Sequence, residues 1–159
     1  MCYICIPNPI IMPQSLAKVY VHVVFSTKHG KNLIQENYRK EPQSYIIGTL
    51  SNIGSYTPEI YSNPDHIHIL CTLPRTITIA ELISQIKTSS SKWLKTQGVI
   101  NFSWQEGYAI FSVSASKVPI VVGYIQKQSE HHKNRTFQEE LRLFFDEYGI
   151  EFDERFVWD

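Results

Sequence analysis

The segment Asn63-Pro64-Asp65-His66-Ile67-His68-Ile69-Leu70 constrains this chain more than any other stretch. A turn signal, Asn63-Pro64-Asp65, opens it, and alternating residue types follow. In a β-strand, side chains two apart share a face, so His66 and His68 project together while Ile67 and Ile69 point the other way into apolar packing. Two imidazoles side by side on a rigid strand make a preformed half of a metal site. Far downstream, Tyr124 and Gln128 are four apart in a segment that reads as one helix, and so share a face there. One element offers two nitrogen ligands; the other offers a side-chain oxygen and a phenol.

The surrounding pattern predicts a regular domain. Alternation of Val19, Val21, Val23 and Phe25 marks a first strand over 17–26, and a helix follows over 36–51. Strands are expected at 58–62 and 66–73. The capping box Thr78-x-x-Glu81 opens a helix to about Thr96, with Gly98 just beyond its end. A strand at 108–114 comes next, then a helix over 117–132 capped by Ser116. A second capping box, Thr136-x-x-Glu139, starts a last helix that ends at Gly149, and the tail through Trp158 is apolar enough to dock. The order β-α-β-β-α-β-α-α predicts an α+β fold, an antiparallel sheet with helices on one face in a ferredoxin-like or RRM-like arrangement.

Pro-Asp-His-Ile-His-Ile-Leu followed by Tyr124-Ile-x-x-Gln128 resembles the single-tyrosine HUH transposases of small bacterial insertion sequences, HUH meaning His-hydrophobic-His. The resemblance takes in Val21-His22-Val23-Val24-Phe25-Ser26-Thr27-Lys28, Ser89-Ser90-Ser91-Lys92-Trp93, Trp104-Gln105-Glu106-Gly107-Tyr108, Glu130-His131-His132-Lys133 and the ending 148–156. It implies an HUH endonuclease fold. It also implies a 5′-phosphotyrosine intermediate, single-stranded DNA with hairpin ends as partner, and a homodimer in which the Tyr124 helix completes the partner's metal site. The chain departs from the family pattern at Ser62-Asn63, at Ser55-Tyr56-Thr57, and at Gly30, where a further basic residue is common.

The chemistry of these residues fits that picture. A phenol with a pKa near ~10 is phenolate in roughly one molecule in a thousand at pH 7, and the attacked phosphate repels it. A divalent cation, Mg2+ or Mn2+, held by His66, His68 and Gln128 would offset that repulsion, with Tyr124 as nucleophile. Three neutral ligands leave the ion its full charge. Two other readings stand beside this one: an inert module that grips hairpin DNA, and a metal phosphodiesterase that activates water while Tyr124 is structural. His131 and His132 are candidate extra ligands, but as cations at a predicted helix end they are favourable in any case, and that is the preferred reading. Asp65 either orients a histidine or shapes the turn.

Composition narrows the class further. At 159 residues, 19% charged and 43% hydrophobic, the chain is one domain of ordinary globular make-up with no run long enough to span a bilayer. Fifteen basic and fifteen acidic residues cancel, which counts mildly against nucleic-acid binding on a large surface. The basic side chains still cluster, as Lys87, Lys92 and Lys95 on one predicted helix and as Lys127, Lys133 and Arg135 near Tyr124. Trp93, Trp104 and Tyr108 are candidate stacking surfaces for unpaired bases, with at least two of the three expected in the core. Three cysteines make no disulfide framework, and a bacterial cytoplasm is the expected compartment. Residues 1–11 read as a disordered tail or a mis-assigned start before Met12, leaving the domain at 12–159.

Overall fold

The computed structural model of the protein describes residues 14–158, so the expected tail at 1–11, which contains Cys2 and Cys5, lies outside the described residues. The chain runs β1 (Tyr20–Ser26), α1 (Lys40–Asn52), β2 (Glu59–Ser62), β3 (His66–Thr72), α2 (Ile79–Thr96), β4 (Ala109–Val113), α3 (Val118–Gln126), α4 (Gln128–His131) and α5 (Phe137–Tyr148). The sheet order is β2-β3-β1-β4 with every pairing antiparallel, the ferredoxin-like arrangement of a β-α-β-β-α-β chain. β3 is therefore an inner strand, with β1 on one side and β2 on the other.

Strand alternation sorts the side chains into two layers. Val21, Val23 and Phe25 of β1 join Ile67, Ile69 and Cys71 of β3 against Ile46 and Leu50 of α1 and Leu82, Ile83 and Ile86 of α2. Each aliphatic side chain fully buried there contributes roughly 1.5–3 kcal/mol relative to exposure. The opposite face is covered too. Val24, Ala109 and Phe111 pack on Leu141 and Phe145 of α5, and Leu70 and Val113 pack on Ile125 of α3. The helices thus occupy both faces rather than one: α1 and α2 lie behind the sheet, α3 and α5 in front. The reason is legible in β1 and β3, whose residues are buried on both sides, so neither face can be left to solvent.

Both expected capping boxes form, Thr78 with Glu81 and Thr136 with Glu139, each closed in both directions. Gly149 ends α5 at φ +61°, a left-handed conformation that favours glycine. The tail docks as expected, with Phe152 against Phe145 at 4.7 Å and Arg142 clasping Glu154 through two hydrogen bonds of 2.7 and 2.9 Å. The expected helix over 117–132 is instead two, broken at Lys127 (φ −90°, ψ 11°) with a 3-10 turn in front at Ala115–Lys117. No proline or glycine stands at the break; it coincides with the inward turn of the Gln128 amide toward buried partners.

Lys87, Trp93 and Trp104 behind the sheet serve packing. Trp104 is a core residue, edge-on to Phe25 and Phe102, and its Nε1 donates to Ser90 Oγ at 2.8 Å. Trp93 stacks on Tyr45 at 4.9 Å, half-buried, while Tyr108 is exposed. Lys87 bends back to donate to the carbonyls of Gln105, Glu106 and Gly107 at 2.8, 3.1 and 2.6 Å, and its burial brings the amine down to about 8. That side chain staples the loop before β4 and is not available to a phosphate. Lys87→Met keeps the stem but orphans three carbonyls, so we expect a loss of ~1–3 kcal/mol in urea unfolding; an unchanged midpoint would show the staple to be idle.

Candidate active site

β3 carries His66 and His68 on the front face, both fully buried, with ring centres 5.1 Å apart. Each has its Nδ1 occupied. His66 Nδ1 lies 2.6 Å from Asp65 Oδ1, and His68 Nδ1 lies 3.0 Å from Nε2 of His22 on β1. Burial, reinforced by His68, takes the His22 imidazole down to about 3. Burial also takes His66 down to about 4 despite the opposing hydrogen bond to Asp65. Both rings are therefore neutral near pH 7, and a neutral His22 can accept the Nδ1 proton of His68. With both Nδ1–H groups given outward, the Nε2 lone pairs of His66 and His68 converge on one space. Asp65 does both things expected of it, since its backbone carbonyl also accepts from Thr27 N at 2.7 Å and fixes the start of β3.

Glu140 fills that space from α5. Its carboxylate is 4% exposed, and Oε2 stands 3.4 Å from His68 Nε2, 3.5 Å from His132 Nε2 and 3.8 Å from His66 Nε2. One ligand atom from each of these four residues falls within 4.8 Å of the others. The second oxygen, Oε1, accepts from Gln128 Nε2 at 2.8 Å and from the phenol of Tyr124. Burial alone would raise the Glu140 carboxyl; its contacts with His132, His68 and Tyr124 outweigh that and hold it far below the usual carboxylate range. Tyr124 moves the other way, pushed well above an ordinary phenol by burial first and then by the Glu140 charge.

The residues singled out in the sequence therefore gather at one place. His66, His68, Tyr124 and Gln128 all border Glu140, although the break at Lys127 means that Tyr124 and Gln128 meet there through a shared acceptor and not along one helix face. The Gln128 oxygen accepts from Asn63 Nδ2 at 3.2 Å, and the same amide nitrogen lies 2.9 Å from His66 Nε2. His131 stacks on the Tyr124 ring at 5.0 Å, whereas His132 turns into the cluster, beyond its helix-end role. Tyr124 opens on a cavity of about 460 Å³ lined also by His131, His132, Asn134 and Arg135. Trp93, Trp104 and Tyr108 belong to the region behind the sheet and its loop.

Three of these neighbours escaped the sequence reading as site residues, and a fourth was set aside there. His22 was legible in principle, because two-residue alternation puts it on the face of Val24, beside His68 across the β1–β3 pairing. Glu140 also left a signal: on α5 it falls among Phe137, Leu141, Phe144 and Phe145, an acid on the apolar stripe of an amphipathic helix. Asn63 was read as part of the turn and as a departure from the family pattern, and His132 was weighed as an extra ligand but read in preference as a cation at a helix end.

Comparisons with known proteins define the family and the fold. The family model described as Transposase IS200 like matches residues 15–128. A solved structure from Deinococcus radiodurans R1, provisionally described as a transposase, is similar at TM-score 0.55 and 17% identity, covering 74% of this chain and 98% of that one. A REP-associated tyrosine transposase bound to a REP hairpin is similar at TM-score 0.56 and 17% identity, covering 76% of this chain and 73% of its own. A comparison with curated proteins finds no match. The fold is that of the HUH tyrosine transposases. The chain belongs to the IS200-like transposase family. Among its described residues, no helix is long and apolar enough to cross a membrane.

Two neutral buried histidines make the metal-free fold acid-sensitive. Between an unfolded value of 6.5 and folded values of about 3 and 4, the unfolded chain binds protons at His22 and His66 that the folded chain refuses. Stability is thus complete above pH 6.5 and falls as pH falls, by up to ~1.4 kcal/mol per pH unit for each histidine. Urea midpoints from pH 7 to 5 should drop accordingly, and His22→Phe should make the slope about half as steep. A flat profile would contradict the burial of these rings in neutral form.

Proposed function

We propose that this chain is a transposase that cuts and rejoins single-stranded DNA at insertion-sequence ends through a covalent phosphotyrosine, acting in the bacterial cytoplasm. The observation that carries the reading is the single buried cluster in which a strand pair of imidazoles and the Tyr124 phenol share Glu140. Its donor set fits a divalent ion, because His68 Nε2, His132 Nε2 and Glu140 Oε2 are buried without a hydrogen-bond partner and face one another. His66 and His68 would hold the ion with Gln128 as oxygen donor. Bound there, Mg2+ or Mn2+ supplies positive charge beside the scissile phosphate.

The chain's own groups account for the rest. A phenol raised well above its ordinary pKa is not phenolate in the resting site, so deprotonation must accompany attack. Glu140 Oε1 already accepts the phenol's hydrogen bond and is the nearest base. Tyr124 Oη would bond to phosphorus, its proton passing to Glu140, while the phosphorus–O3′ bond breaks and the leaving oxygen takes a proton from solvent water to become a 3′-hydroxyl. That hydroxyl, or another, later reverses the step on a new strand, which conserves the bond energy. Arg135 and His131 line the cavity beside Tyr124, where an anionic strand would enter. Hairpin-ended DNA is the proposed substrate, in keeping with the hairpin bound by the REP-associated neighbour.

Movement of a DNA segment needs two nucleophiles, and each chain has one, so we propose a homodimer. Tyr124 lies at the His66–His68 pair of its own chain. This favours sites built within one chain over the shared sites that the resemblance implied, and a mixture of His66→Ala and Tyr124→Phe chains should then stay inactive.

The test is adduct trapping on single-stranded DNA that carries a hairpin end. Wild type with Mg2+ or Mn2+ should give a denaturation-resistant protein–DNA complex, and Tyr124→Phe should fold, bind DNA and give none. His66→Ala, or excess chelator, should abolish cleavage while binding persists. Cleavage without an adduct would favour a water-using phosphodiesterase; binding without cleavage would favour an inert hairpin-binding module.

A further inference from the structure

The family match stops at Gln128, yet two of the groups that point into the site come after it. His132 follows α4, and Glu140 sits one turn into α5. Three orphaned polar atoms, His68 Nε2, His132 Nε2 and Glu140 Oε2, make no hydrogen bond although each is buried. Buried polar atoms without partners are rare and call for a specific occupant. Here all three face the same point, together with His66 Nε2. A carboxylate placed on the apolar stripe of α5 is costly unless a cation or a full set of donors meets it, and Oε2 faces imidazoles at 3.4, 3.5 and 3.8 Å without a hydrogen bond.

We propose that His132 and Glu140 are metal ligands, so that the segment after the family match completes the site and makes it selective for a transition-metal ion over Mg2+. This rests on the metal-dependent reading above and extends its ligand set. Three imidazoles and one carboxylate are a nitrogen-rich set with one negative charge. Mg2+ prefers an oxygen shell and keeps its waters, whereas imidazole suits ions such as Mn2+ and Zn2+ better, with affinity rising along the first transition row. The outward partners of the strand histidines, Asp65 on His66 and His22 on His68, already turn their Nε2 atoms toward the ion position. Glu140 would then serve both halves of the site with different oxygens: Oε2 toward the ion, and Oε1 toward Tyr124 and Gln128.

The experiment is calorimetric titration of the full metal-free chain with MnCl2, ZnCl2 and MgCl2, with near-UV circular dichroism as the fold control. Wild type should bind Mn2+ and Zn2+ much more tightly than Mg2+. Glu140→Gln keeps the shape and the bond to Tyr124, and it should weaken Mn2+ binding about tenfold or more. His132→Ala, at a less buried position, should do the same and serves if Glu140→Gln does not fold. Should both variants bind Mn2+ as wild type does while His66→Ala does not, the inference is overturned and the reading with His66, His68 and Gln128 stands. A wild-type chain that binds none of the three ions would sink both.

Discussion

Two imidazoles on the inner strand of a sheet buried on both faces set the terms for everything in front of that sheet. An imidazole out of water must find partners for its nitrogens or cost the fold their desolvation. His66 and His68 are fully enclosed, so their four ring nitrogens define what the neighbouring elements must bring. β1 brings His22 for one Nδ1, and the turn before β3 brings Asp65 for the other. The two Nε2 atoms are left facing forward, and the layer of α3, α4 and α5 is built around them. α5 carries Glu140 to this point between Phe137, which stacks on His66 at 4.5 Å, and Leu141 and Phe145, which anchor it to the sheet.

Most of the scaffold was legible because it obeys local rules. Strand alternation assigned Ile67 and Ile69 to one face and the histidines to the other, and the two capping boxes gave helix starts to the residue. The pairing order followed from the β-α-β-β-α-β pattern. What escaped depends on long-range partners. The break at Lys127 has no local breaker and makes sense only with Asn63 and Glu140 on either side of the Gln128 amide. Lys87 looked like one of a basic row, but its position opposite the carbonyls of 105–107 decides its role, and only the packed loop reveals that. Placing α3 and α5 in front of the sheet required knowing that β1 is buried on both faces, which a simple alternating pattern conceals.

Electrostatics resolves the apparent conflict between zero net charge and a transposase family. Field at a site depends on which charges are near and how dry the surroundings are, and a sum over the surface says little about it. Among the described residues, Glu140 is the only carboxylate in the buried cluster, with three imidazoles around one of its oxygens. Arg135 and His131 border the adjoining cavity, and the Arg135 charge works against the rise of the Tyr124 phenol. Many of the remaining acids are spent in exposed pairs and caps, such as Glu154 with Arg142, Asp153 with Arg155, and Glu139 with Thr136. Such surface pairs project little field beyond about a Debye length of ~8 Å at physiological salt. The carboxylate that matters is therefore the buried one. Because it is bonded to the phenol through one oxygen and faces the imidazoles with the other, any cation that binds the imidazoles also draws charge away from Tyr124. On the reading proposed above, a metal ion held by the imidazoles would ease loss of the phenol proton through this single side chain.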